Sequence, residues 1–302
     1  MPLLDFNMNM NMDFNMNMGS PGSSVGGNGT RVRLNSEDYR KYLAMVGGAL
    51  ADPVIPANPG AFRFPGYWDA ELQAYEYLEE FLRTYDWRAR LNGPGGLTLT
   101  STHMLPTTNQ IRDEIIYVLD QAPDRQDRFQ EILSQHSGEG AIGYFLGMLM
   151  IDPSRMPAMH LLMRVARRIG EHISMVLKGE FRCPRPSQLC AAIVPMIDPP
   201  ATPSYPSGHS LQARLIARCI GGTTLSIVPP HLLTNLSDRI GENRIIAGIH
   251  YLNDHTAGVA VADWCYTQLL APLFVTPPKL FERLMRAVNN EIAHLADTQP
   301  PL

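Results

Sequence analysis

Three short segments of this chain carry residues that could hold and split an oxyanion ester. They are Lys178-Gly-Glu-Phe-Arg-Cys-Pro-Arg185-Pro186, then Pro206-Ser207-Gly208-His209, then Arg244-Ile-Ile-Ala-Gly-Ile-His250-Tyr-Leu-Asn-Asp254. Lys178, Arg185 and Arg244 supply positive charge, and Arg adds a planar fork that grips two oxygens at once. The Ser207-Gly208 turn offers a hydroxyl and backbone N–H groups. His209 and His250 can move protons or attack, and Asp254 can orient a ring. Donors converging on a tetrahedral anion beside a nucleophile are the equipment of group transfer.

Each segment alone also has an ordinary reading. Cations near a helix C-terminus complement its dipole, which covers Lys178 and Arg185. Pro184 and Pro186 stop the helix that carries Lys178, and the turn they force lets Arg185 come back toward it. Ser207 can be a plain helix cap; alternatively, the Ser207 and Gly208 amides and the Ser207 hydroxyl hold an oxyanion at a helix N-terminus. His250 and Asp254 stand four apart, the spacing of helical neighbours. Gly248, Asn253 and the following His255-Thr-Ala-Gly instead imply a break near His250, with Asn253 or Asp254 opening the next helix and the His-Asp contact made across a turn.

The elements that must position these residues read as helices. Apolar residues recur at helical spacing over Tyr67 to Trp87, Asn109 to Gln121, Asp124 to His136, Gly138 to Ile151, Pro157 to Lys178, Ser207 to Gly221, Pro230 to Gly248, His255 to Leu273 and Pro278 to Leu295. Asn35-Ser36-Glu37-Asp38 caps a further helix over Tyr39 to Ala51, and Asp52-Pro53 ends it. The fold expected is an all-α bundle. Residues 1–30 alternate Met and Asn and then turn Gly/Ser-rich, the composition of a disordered tail. Residues 31–105 read as a helical segment packing on the core, and 106–302 as the catalytic helical domain, with a Gly-rich loop from Asn92 to about Met104 as the boundary.

Composition narrows the function. A net charge of −4 over 302 residues provides no global basic field for nucleic acid or anionic lipid, so any cationic site is local. Cys183, Cys190, Cys219 and Cys265 show no CxxC spacing and read as free thiols. The histidines show neither HExxH nor a Cys/His ligand set, so no metal is expected. The longest unbroken apolar run, Ala141 to Ile151, is shorter than a membrane span, which leads to the expectation of a soluble, cytoplasmic protein without a signal segment. Homo-oligomerisation stays open. Arg182 and His255 lie beside the motifs and are expected to be structural.

Taken together, in this order and spacing, Lys-x6-Arg-Pro, Pro-Ser-Gly-His and Arg-x5-His-x3-Asp resemble the signature of the type 2 phosphatidic acid phosphatase and vanadium haloperoxidase superfamily. The resemblance covers roughly Lys178 to Asp254 and implies that family's all-α core. It implies further that Lys178, Arg185 and Arg244 neutralise the oxyanion while Ser207 and Gly208 donate to it. His250 would be the nucleophile, Asp254 would orient it, and His209 would protonate the leaving oxygen. Asn243 precedes Arg244 where the family usually has Ser. The activity implied is a soluble phosphomonoester hydrolase that takes a small phosphoester through a phosphohistidine and needs no cofactor. The alternative is a haloperoxidase holding vanadate on His250 and acting on peroxide and halide. A helical interaction protein with a degenerate anion site is the third reading.

Overall fold

Every regular element among the described residues is helical, as the apolar periodicity predicts. The structure, a computed structural model, describes residues 68–100, 108–136, 138–224, 228–275 and 278–298, all within one compact unit, Gly66–Leu302. The tail at 1–30, the helix expected over Tyr39 to Ala51 and residues 101–107, which include the end of the Gly-rich loop, lie outside the described residues. In chain order the helices are α1 (Ala70–Thr84), α2 (Trp87–Asn92), α3 (Thr108–Asp120), α4 (Arg125–Ser134), α5 (Gly138–Leu149), α6 (Pro157–Phe181), α7 (Pro186–Leu189), α8 (Gly208–Gly221), α9 (Pro230–Ile246), α10 (Leu252–Cys265), α11 (Ala271–Val275) and α12 (Lys279–Thr298). A 3₁₀ turn at Ala122–Asp124 and a π turn at Tyr266–Leu270 complete the set.

Helix α8 is the centre of the bundle, packed against α6, α9 and α10. Its buried Leu211, Leu215 and Ile216 meet Ile169, Ile173 and Leu177 of α6 and Val261 and Ala262 of α10 in one core. Each large apolar side chain taken fully out of water contributes about 1.5–3 kcal/mol, so this core fixes where the helix ends fall. Helix α6 begins at Pro157 without a side-chain cap of its own; Glu291 of α12 accepts instead from the Ala158 and Met159 amides at 2.7 and 2.9 Å. At the other end Arg182 turns left-handed, with φ 49°, and returns its N–H to the Lys178 carbonyl before Pro184 ends the helix.

The helix expected over Tyr67 to Trp87 ends at Thr84, and a second, short helix follows it from Trp87. Tyr85 is extended, with φ −131°, and Asp86 caps α2 by accepting from the Ala89 amide at 3.0 Å. Helix α1 lies along α6, where Glu71 pairs with Arg164, Arg167 and Arg168. The expectation that nothing in the chain could span a membrane also needs correction. The helix running on through the π turn, Leu252–Val275, is long and apolar enough by length and composition, with 44% of its apolar window buried in the fold. Asn253, Asp254, His255 and Asp263 interrupt its apolar runs, so a count of unbroken apolar residues passes over it.

Candidate active site

The ends of α6, α8 and α9 and the start of α10 converge on His250. Helix α9 stops at Ile246, Gly248 takes a positive φ of 79°, and α10 begins at Leu252, which leaves His250 in the turn between them. Asp254 sits in the first turn of α10 and reaches back to accept from the Tyr251 amide at 3.0 Å. The same oxygen, Oδ2, lies 2.9 Å from His250 Nδ1 and accepts from Ser204 Oγ. The His-Asp contact is therefore made across a turn, the second of the two arrangements left open by the sequence.

His250 has its tautomer fixed by what faces it. Nδ1 meets the Asp254 carboxylate, an acceptor, whereas Nε2 lies 3.1 Å from Arg185 Nη1, which can only donate. The ring is neutral, with its hydrogen on Nδ1 and its lone pair on Nε2. Burial, reinforced by Lys178, Arg185 and Arg244, holds the His250 pKa well below its ordinary value. Burial pushes Asp254 above the usual carboxylate range, against the pull of its hydrogen bonds and of Lys178 and Arg185.

The cations are almost entirely out of water. Lys178 and Arg185 are each 4% exposed and Arg244 is 0% exposed. Lys178 Nζ donates to the Pro203 and Ser204 carbonyls, both at 2.7 Å, and burial followed by the Arg185 charge lowers its pKa to about 7. Arg185 donates to Thr202 O at 3.0 Å, Thr202 Oγ1 at 3.0 Å and Ile249 O at 2.9 Å. Burial lowers both Arg185 and Arg244 to about 10, so they stay charged at neutral pH. Arg244 keeps Nε and Nη1 buried without a partner. A buried cation with unpaired donors is costly, and an anion is what would satisfy it.

A second half of the site is organised by Gln135, just past the end of α4. Its side-chain oxygen accepts from Asn243 Nδ2 at 2.9 Å and Arg244 Nη2 at 3.3 Å, and its backbone carbonyl lies 3.0 Å from His209 Nε2. A carbonyl only accepts, so His209 carries hydrogen on Nε2 and presents Nδ1 as its free atom. Burial, then Arg244 and His250, lower the His209 pKa to about 3. Asn243, in the position where a Ser was the family expectation, is tied on both sides, donating to Gln135 and accepting from Arg128 Nη1 at 3.2 Å.

Ser207 departs from expectation in one respect. Its amide is taken by the Asp254 carbonyl at 2.9 Å, because α10 packs its first turn over the start of α8. The Ser207 amide therefore cannot serve an oxyanion, whereas its hydroxyl can, and Gly208 and His209 open the helix with their N–H groups. The structure thus links Lys178, Arg185, His250, Asp254 and Ser207 through the 202–207 loop, and Arg244 with His209 through Gln135. Arg182 stays apart, with an exposed contact to Gly179 O, and His255 bonds Ser210. The three motifs hold no sign of Gln135, Ser204 or Thr202. Gln135 and Ser204 are 0% exposed polar residues, but only the fold brings them to the motifs.

No family model matches this chain, and no curated protein matches it. Among solved structures, one described as the first transmembrane PAP2 type phosphatidylglycerolphosphate phosphatase from Bacillus subtilis is similar, at 16% identity and a TM-score of 0.42. The match covers 70% of this chain and 98% of that one. At that TM-score the likeness carries no weight beside the site's own geometry.

Proposed function

We propose that the protein is a phosphomonoester hydrolase that passes the phosphoryl group through His250. The observation that carries this reading is the neutral His250 ring, held by Asp254 at Nδ1 with its Nε2 lone pair turned toward buried guanidinium charge. A phosphoryl dianion entering the site takes the Arg185 Nη1 donor that faces Nε2 and meets the unpaired Nε and Nη1 of Arg244. Lys178, the Ser207 hydroxyl and the Gly208 amide complete the cradle.

In the first step Nε2 attacks phosphorus, the P–N bond forms, and the bond to the leaving oxygen breaks with its electron pair. As the dianion binds, His209 takes up a proton from solvent on Nδ1 and then gives it to that oxygen, while the Gln135 carbonyl keeps hold of Nε2–H. The arriving dianion offsets the charges that keep His209 neutral and so raises its proton affinity. In the second step His209 takes a proton from water, the water oxygen bonds phosphorus, and the P–N bond breaks to release phosphate and regenerate neutral His250. Asp254 stabilises the positive charge that the ring develops. No metal enters these steps, because buried side-chain cations supply the charge.

Vanadate fits the same residues, since His250 Nε2 and the same donors would hold it and it would supply peroxide activation when bound. A paired assay separates the two chemistries: hydrolysis of an aryl phosphate in chelator, beside vanadate-dependent oxidation of bromide by peroxide. The phosphatase reading expects the first activity and its loss in His250→Ala. Halide oxidation alone would replace it with the haloperoxidase reading, and neither activity nor anion binding would leave a helical interaction protein. Work in the aqueous phase is part of the proposal, supported by Asp263 on the Leu252–Val275 helix, which accepts from Arg214 Nε and Nη2 of α8, both at 3.0 Å. Recovery in the membrane pellet instead of the detergent-free extract would contradict it.

A further inference from the structure

A buried polar chain runs behind the Ser207 hydroxyl, and the steps above make no use of it. His255 Nδ1 lies 2.9 Å from Ser210 Oγ, and Ser210 Oγ donates to Ser207 Oγ at 2.9 Å. Both serines are 0% exposed. As the cap of α8, Ser207 Oγ also accepts from the Ser210 amide at 3.4 Å. A hydroxyl oxygen with both lone pairs engaged has its own hydrogen left to donate, directed away from those two donors.

The direction of this chain depends on His255. With hydrogen on Nδ1, His255 donates to Ser210, Ser210 donates to Ser207, and the Ser207 hydrogen is left for an anion. Without it, Ser210 turns its hydrogen to the ring, and Ser207 can turn its own back onto Ser210. Helix α9 closes over the pair at Gly241, where a Cβ would collide with the His255 ring and come within 2.7 Å of Ser210 Oγ. The packing leaves His255 and Ser210 little room to separate.

We infer that His255 is a positioning residue that, acting through Ser210, aims the Ser207 proton at the bound oxyanion. This rests on the cradle described under Proposed function. It gives a role to a histidine expected to be structural.

A double-mutant cycle on aryl-phosphate hydrolysis tests it. Ser207→Ala removes an oxyanion donor and should lower kcat about 100-fold; His255→Ala leaves the donor present but unaimed and should lower kcat about 10-fold. KM should stay within about twofold in His255→Ala, because the aimed hydrogen bond strengthens as charge develops. The double variant should be no slower than Ser207→Ala, and His255→Asn, whose amide can donate to Ser210 as Nδ1–H does, should recover most of the loss. Ser210→Ala breaks the same chain and stands in for His255→Ala if that variant fails to fold. Full activity in His255→Ala, an equal further loss when it is added to Ser207→Ala, or no recovery in His255→Asn overturns the positioning role alone. A wild-type protein that neither hydrolyses the ester nor binds vanadate overturns the cradle, and the positioning role with it.

Discussion

Replacing Arg244 by Met should make the empty protein more stable and the enzyme nearly inert. Arg244 is 0% exposed, and its Nε and Nη1 find no partner. Each unpaired buried donor costs about 1–3 kcal/mol, more on a charged group. Against this the wild type keeps two hydrogen bonds from Nη2, to Ile132 O at 3.0 Å and Gln135 Oε1 at 3.3 Å, worth about 0.5–1.5 kcal/mol each. Gln135 Oε1 keeps Asn243 as a donor after the substitution, so only the Ile132 carbonyl is newly stranded. Exchanging a buried charge for an apolar side chain of similar length typically gains about 1–4 kcal/mol, and the balance here is a gain of about 1–3 kcal/mol. That corresponds to a rise in Tm of about 2–10 °C in a fold of this size. Losing a charged oxyanion contact should cut kcat/KM by at least about 100-fold. Saturating phosphate should raise the Tm of the wild type and leave that of Arg244→Met nearly unmoved. Thermal unfolding with and without phosphate, beside aryl-phosphate hydrolysis, reads all three effects. A variant less stable than wild type that still turns over would show Arg244 to be a structural strut and refute the reasoning.

Stability should rise with pH from acid to alkaline conditions. The folded-state pKa values of His250 and His209 are lowered, so below about 6.5 the unfolded chain binds protons that the fold refuses; stability drops there by up to about 1.4 kcal/mol per pH unit for each ring. Lys178, lowered to about 7, extends the same trend from 7 toward its ordinary 10.5, whereas Asp254, raised by burial, opposes it in acid. A denaturation midpoint that is flat or falling between pH 5 and 9 would sink this. Gly248→Ala should cost about 1–3 kcal/mol and depress kcat, because it strains a φ of 79° and brings a methyl within 2.8 Å of Arg125 Nη2, two residues before His250. Wild-type stability and turnover in that variant would show that the turn tolerates a side chain.

The site is legible in the sequence where covalent neighbours decide the local structure. Pro184 and Pro186 announce the turn that returns Arg185 toward Lys178, and Ser207 ahead of an apolar helix announces a cap; both follow from local chemistry. The break near His250 was equally legible, since Gly248 and Asn253 dislike helix interiors. Gln135 was not legible, because a glutamine at the end of an amphipathic helix reads as surface until α9 is laid against it. The occupied Ser207 amide was hidden for a related reason: which carbonyl lies over an N–H depends on how α10 packs on α8. The long helix Leu252–Val275 escaped because charged and polar residues of the site, Asp254 among them, break up its apolar runs.

The most direct test is a rapid alkaline quench of wild-type enzyme turning over an aryl phosphate, followed by mapping of any bound phosphoryl group. Phosphoramidates survive base, so the account predicts a phosphate on His250 within the first turnovers and none in His250→Ala. Steady hydrolysis with no phosphorylated protein, or with the phosphate on another residue, would contradict it.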